Sequence, residues 1–184
     1  MSLVELIAQA DERGLAASGL ACLDRCVPLL GGDDETLRPL WASLADGAAA
    51  DEWGACLEQV RGKVDAAAEE DEAATLAQRM LQAAPAERSA AGLRVWADAC
   101  SVASLQIHRL LDTAEDDASS VDARREGRTE GMSPLVAAEL RRQVTVLEVL
   151  AGHGPAGLRR ALELSTEGRR VLRAVVSRRS RQQG

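Results

Sequence analysis

Residues 93–110 read LRVWADACSVASLQIHRL, and this stretch decides the fold. Leu93, Trp96, Cys100, Ala103, Ile107 and Leu110 recur at alternating steps of three and four, which gathers them on one side of an α-helix. Ala99 and Ala103 are small enough to let a neighbouring helix come close. The stretch therefore predicts the central core helix of a bundle.

The flanking sequence repeats the pattern. Ser133-Pro134 is a cap followed by proline in the first turn, and Val136, Leu140, Val144, Leu147 and Leu150 continue a helix to about 151. Gly152-His153-Gly154-Pro155 reads as a tight connection. A last helix follows with Leu158, Leu162, Leu172 and Val175 inward, and Gly168 weakens its middle. Upstream, Asp51 caps a helix carrying Trp53, Leu57, Val60 and Val64. The run Glu69-Glu70-Asp71-Glu72 either lies within one long helix or marks a turn before Leu76. Pro85 suits the first turn of the central helix.

Three short helices are expected before these. The first, near 3–13, starts with a Ser2/Glu5 capping box and ends at Gly14. The second, 16–30, is bent or ended by Pro28 and stopped by Gly31-Gly32. The third, 35–45, has Pro39 early in its first turn. The expected architecture is all-α: an antiparallel helical bundle of about seven helices. Residues 1–47 would form an amino-terminal short-helix annex, and 48–184 the bundle, with a mobile loop near 114–132.

Composition agrees with helices and excludes other classes. Of 184 residues, 34 are Ala and 25 are Leu, both strong helix formers. Three Trp and no Phe or Tyr are too few aromatics for a β-sandwich or for a base-stacking platform. No apolar run approaches the ~18 residues of a bilayer span, so no membrane is expected. The start, Met1 to Arg13, lacks a basic leader and an apolar core, so a cytoplasmic protein with reduced thiols is expected. Cys22 and Cys26 share a helix face, and all four cysteines read as small core residues.

Motif chemistry is sparse. His108 and His153 are each preceded three positions earlier by leucine, so the Glu-x-x-His di-iron pattern is missing. No P-loop, HExxH or Gly-x-Ser-x-Gly occurs. His108 reads as a boundary histidine satisfied by a neighbour. No catalytic residue, cofactor or metal is assigned, and a non-catalytic interaction module of the cytoplasm is expected. Trp41 and Trp53 are candidate anchors for a protein partner or for self-association.

Charge divides the chain. Residues 1–120 hold 22 acidic and 9 basic groups, while 121–184 hold 7 acidic and 13 basic. Such halves can pair with each other, within a chain or between chains, and a basic tail can meet nucleic acid. Arg124, Arg125 and Arg128, beside Gly127 and Gly131, are candidates to grip an anion. The stretch 147–176, with its His-Gly-Pro turn, resembles a bacterial helix-turn-helix of the winged regulators. The resemblance implies a first motif helix at 155–165 and a recognition helix carrying Arg169, Arg170 and Arg173. It lacks the usual turn at Ser165-Thr166-Glu167 and has no wing after it. DNA binding is the alternative function on that resemblance.

Overall fold

A computed structural model describes residues 1–64, 70–114 and 121–182. The described residues are all-α, with nine α-helices and no strand. They are α1 (Leu3–Gln9), α2 (Glu12–Arg25), α3 (Arg38–Ser43), α4 (Glu52–Arg61), α5 (Glu72–Ala83), α6 (Ala90–Leu111), α7 (Val121–Arg125), α8 (Pro134–His153) and α9 (Leu158–Gln182). Two 3-10 turns, Val27–Leu29 and Gly154–Gly157, follow α2 and α8. None of these helices is long and apolar enough to cross a membrane.

Local chemistry sets the boundaries. Ser2 and Glu5 form the expected capping box on α1. Gly14 does not end that helix. Asp11 intervenes as the cap of α2, its carboxylate accepting from the Gly14 N–H at 2.8 Å. Pro28 sits in the first turn of the 3-10 segment that finishes α2, where a missing N–H costs nothing. Asp71 caps α5, so part of the acidic run is a helix start; residues 65–69, including Glu69, lie outside the described residues. Ser89 caps α6, leaving Pro85 in the connection before it.

The amino-terminal segment is not set apart from the bundle. Every residue of α2 from Gly14 to Arg25 is buried, and the helix packs on α6, α8 and α9. The expected annex therefore supplies the innermost helix. Its sequence explains this, because Leu15, Ala16, Ala17, Leu20, Ala21, Cys22 and Leu23, with Ser18 the one small polar side chain among them, leave no charged side between Arg13 and Asp24. A helix apolar all round is driven to the interior.

Direction follows from which residues meet. Ser101 and Ser104 of α6 face Gln143 and Glu139 of α8, so these helices run antiparallel. The α8–α9 hairpin, closed by its 3-10 turn, is antiparallel too. Gly19 of α2 and Cys26, which caps its carboxyl end, face Trp96 and Ser104 of α6, so this central pair runs parallel. The excursion through α3, α4 and α5 makes a parallel pair possible.

All three tryptophans are in the core with their indole N–H groups satisfied. Trp41 donates to Asp24 at 2.7 Å, Trp53 to the Pro85 carbonyl at 2.8 Å and Trp96 to the Met80 carbonyl at 2.9 Å. Trp53 and Trp96 meet edge to face with centroids 5.8 Å apart. Trp41 and Trp53 are 6% and 0% exposed, so neither presents a surface to a partner.

The six-membered ring of Trp96 packs against Gly19. A Cβ added there would sit 2.5 Å from the ring, with no flexible atom to give way. Alanine gains about 1 kcal/mol of helix propensity over glycine, whereas overpacking costs about 1–3 kcal/mol. With Trp96 pinned by Met80 and Trp53, overpacking wins. Gly19→Ala is expected to lower the urea midpoint without changing helix content by circular dichroism.

Candidate functional site

The densest polar chemistry is sealed inside the bundle. Arg25, the last residue of α2, meets Glu139 of α8 in a two-pronged pair: Nε donates to Oε2 and Nη2 to Oε1, both at 2.7 Å. Both side chains have 0% exposure. Glu139 Oε1 also accepts from Ser104 Oγ at 2.7 Å and from Gln143 Nε2 at 2.9 Å. Ser101 donates to Gln143 Oε1 at 2.6 Å, and Arg125 of α7 donates to Ser101 at 3.1 Å. Arg125 is also paired with Asp98. One network thus ties α7, α6, α8 and α2 together. Gly168 of α9 lets the Arg25 stem pass; a Cβ there would lie 2.4 Å from Arg25 Cδ.

His108 completes the group. Its Nδ1 is 2.7 Å from the Ser104 carbonyl, which can only accept, so Nδ1 carries a proton. In the neutral ring Nε2 is then the bare nitrogen, 3.6 Å from Glu139 Oε2, and in the protonated ring it faces that oxygen as a cation. Burial lowers the His108 pKa, outweighing the pull of Glu139. Burial opposes the Glu139 carboxylate as well, yet Arg25 and then, once protonated at low pH, His108 override it and bring the pKa to about 2. Burial pushes the Cys22 thiol up to about 12 and raises Cys26 and Cys100 too. These thiols stay protonated and poorly nucleophilic at neutral pH. Among the described residues, no three His, Cys, Asp or Glu side chains are placed to hold a metal ion.

The sequence-predicted arginines part company. In the 114–132 stretch, α7 stands where a mobile loop was expected, and residues 115–120 lie outside the described residues. Arg124 is 1% exposed and donates to the carbonyls of Arg128 and Glu130, closing its own loop. Arg125 is spent on Ser101 and Asp98. Arg128 alone of the three faces water, 2.9 Å from Glu126. The trio does not converge on one anion.

The helix-turn-helix geometry is absent as well. Ser165, Thr166 and Glu167 lie inside the continuous helix α9. The Ser165 and Thr166 hydroxyls turn back to the carbonyls of Ala161 and Leu162 at 2.8 and 2.9 Å. Arg169 is buried against Asp24 and donates to Asp34 at 3.1 Å. Arg173 shares Asp34 at 3.2 Å. Of the three proposed readers, Arg170 is exposed and has no ion pair among the described residues.

Arg170 belongs to a surface feature instead. From Gly168 onward α9 contains six arginines and no acidic residue. Arg159, Arg170 and Arg181 are all exposed and recur every 11 residues, close to three full turns, so they form a ridge on the side away from the core. Neighbours on this ridge stand about 16 Å apart along the axis.

The buried network was detectable in principle. Arg25, Ser104, His108, Glu139 and Gln143 each interrupt an apolar stripe at core spacing, and polar residues there are buried with partners or not at all. The chain matches no known protein-family model, no curated protein and no solved structure.

Two outcomes follow. Glu139→Ala strands the Arg25 charge and is expected to cost about 3–5 kcal/mol, while the joint change Arg25→Met with Glu139→Leu recovers most of it. Urea titrations of the three variants measure this. The second concerns pH. His108 is depressed in the fold, so its contribution is intact above its ordinary value of 6.5 and drains as pH falls below it. Glu139 adds a further loss as pH falls from 4.5 toward 2. The urea midpoint should decline from pH 6.5 to 5, and His108→Gln should flatten that decline. An unchanged slope in the variant would remove His108 from the account.

Proposed function

We propose that this chain is a non-catalytic interaction module that docks an acidic protein surface on the outer ridge of α9. The observation that supports this is the row Arg159, Arg170 and Arg181, held at regular spacing on a rigid 25-residue helix. Arg170 and Arg181 have no ion-pair partner among the described residues, and Arg159 has a solvent-exposed ion pair with Glu163 at 3.7 Å, beyond hydrogen-bond distance. Exposed guanidiniums are two-pronged donors to carboxylates, and they cost little to desolvate compared with ammonium groups.

An acidic protein patch suits this face better than duplex DNA. The whole chain has a net charge of -7, and residues 1–120 carry a net -13. A long polyanion laid along α9 would be repelled by the rest of the molecule, whereas a compact acidic patch meets only the ridge.

The test is proximity cross-linking in the native cell with wild type and with the combined change Arg159→Glu, Arg170→Glu and Arg181→Glu. A partner recovered saturably by wild type and lost from the variant, with unaltered thermal melting, is the expected result. Binding to the isolated partner should weaken about tenfold or more and should weaken with salt. Equal recovery by both proteins would refute the reading. Tight binding of random duplex DNA, abolished in the variant, would replace it with the nucleic-acid alternative.

A further inference from the structure

A cavity of about 480 Å³ opens where the carboxyl-terminal ends of α6 and α9 meet the start of α8. Its size lies within the roughly 300–1,000 Å³ of small-molecule sites. Leu110, Leu135 and Val175 are apolar side chains of its lining, and Arg178 and Arg179 line it too. Leu110 is 40% exposed, one of the few large apolar side chains of the described residues left to water.

The two guanidiniums are lightly engaged. Arg178 has no ion pair among the described residues, and the carboxylate nearest Arg179 is that of Asp71 at 3.8 Å. Asp112 is the carboxylate among the described lining residues, and backbone donors hold it. Its Oδ2 accepts from the Leu135 N–H at 2.8 Å, at the positive end of α8, and its Oδ1 accepts from the Ala114 N–H at 2.9 Å. Asp112 is thereby held to the backbone, which leaves Arg178 as the lining guanidinium with no carboxylate partner among the described residues, beside apolar side chains.

We propose that this cavity binds a small amphiphilic anion, an acyl chain ending in a carboxylate. The chain covers Leu110, Leu135 and Val175, and the head group takes Arg178 and Arg179. Guanidinium pairs carboxylate oxygens in a two-pronged geometry, and the leucines gain by losing contact with water. A neutral alcohol of equal length would keep the apolar gain and forfeit the pair. The site goes beyond the docking reading, because it uses different arginines from the Arg159, Arg170 and Arg181 ridge.

The test is a methyl-detected NMR titration of the full chain with sodium decanoate below its micelle concentration, beside 1-decanol and decyl phosphate. Saturable shifts at Leu110, Leu135 and Val175 are expected with decanoate. The alcohol, and the variant Arg178→Ala with Arg179→Ala, should each bind about tenfold or more weakly. The ridge variant should bind decanoate as wild type does, so loss of the partner and loss of the ligand are separate results. Equal binding of alcohol and carboxylate, shifts confined to other methyls, or full affinity in the double arginine variant would overturn the proposal. Binding of decyl phosphate without decanoate would overturn its carboxylate head group. The alcohol comparison needs no variant, so the test stands even if the double change unfolds α9.

Discussion

The pair between Arg25 and Glu139 is the constraint on which the rest of the bundle depends. Two full charges without water are tolerated only when geometry and further hydrogen bonds compensate their lost hydration. Here Ser104 and Gln143 bring the carboxylate its other donors. Arg25 comes from α2, Ser104 from α6, and Glu139 with Gln143 from α8, so the three helices satisfy these groups in one register. An interior of Ala and Leu alone, with few aromatics, would permit helices to slide past one another. The polar centre removes that freedom, which is the specificity role that buried polar groups fill best. A second buried pair, Asp24 with Arg169, does the same for α9.

Arginine usage fits this picture. Lys63 is the only lysine among 22 basic residues. Arg25, Arg61, Arg88, Arg124, Arg125 and Arg169 all reach across the fold or close a loop. Arg61, for instance, donates to the carbonyls of Leu81, Gln82 and Ala84. A planar group with five donors can hold several carbonyls at once, which an ammonium cannot do with the same rigidity. Much of the basic charge is therefore architecture, and the surplus gathers on the outer side of α9.

The helices themselves were legible because their apolar residues recur at three and four and two of their starts carry recognisable signals: Ser2 with Glu5, and Ser133 with Pro134. The central helix at 93–110 emerged as α6. Less legible was the role of α2. A helix apolar on every side carries no facing information, and its shortness suggested a peripheral piece. The parallel pairing of α2 with α6 depends on the long excursion between them, which periodicity does not encode. Gly168 looked like a break because glycine lowers helix propensity, but here it clears room for the Arg25 stem. The arginines at 124, 125 and 169 looked available because sequence spacing gives charge without its partner. Asp98 lies 27 residues from Arg125, and Asp24 lies 145 from Arg169. No local pattern links such pairs.

The same separation governs how the chain is made. Arg25 and Glu139 are 114 residues apart, so the innermost helix emerges from the ribosome long before the carboxylate that completes it. Until α8 is synthesised, α2 is an oily segment with an unpaired cation at its end. A nascent chain in that state has reason to need a holding chaperone, and truncation before α8 leaves a species prone to aggregate rather than a smaller stable domain.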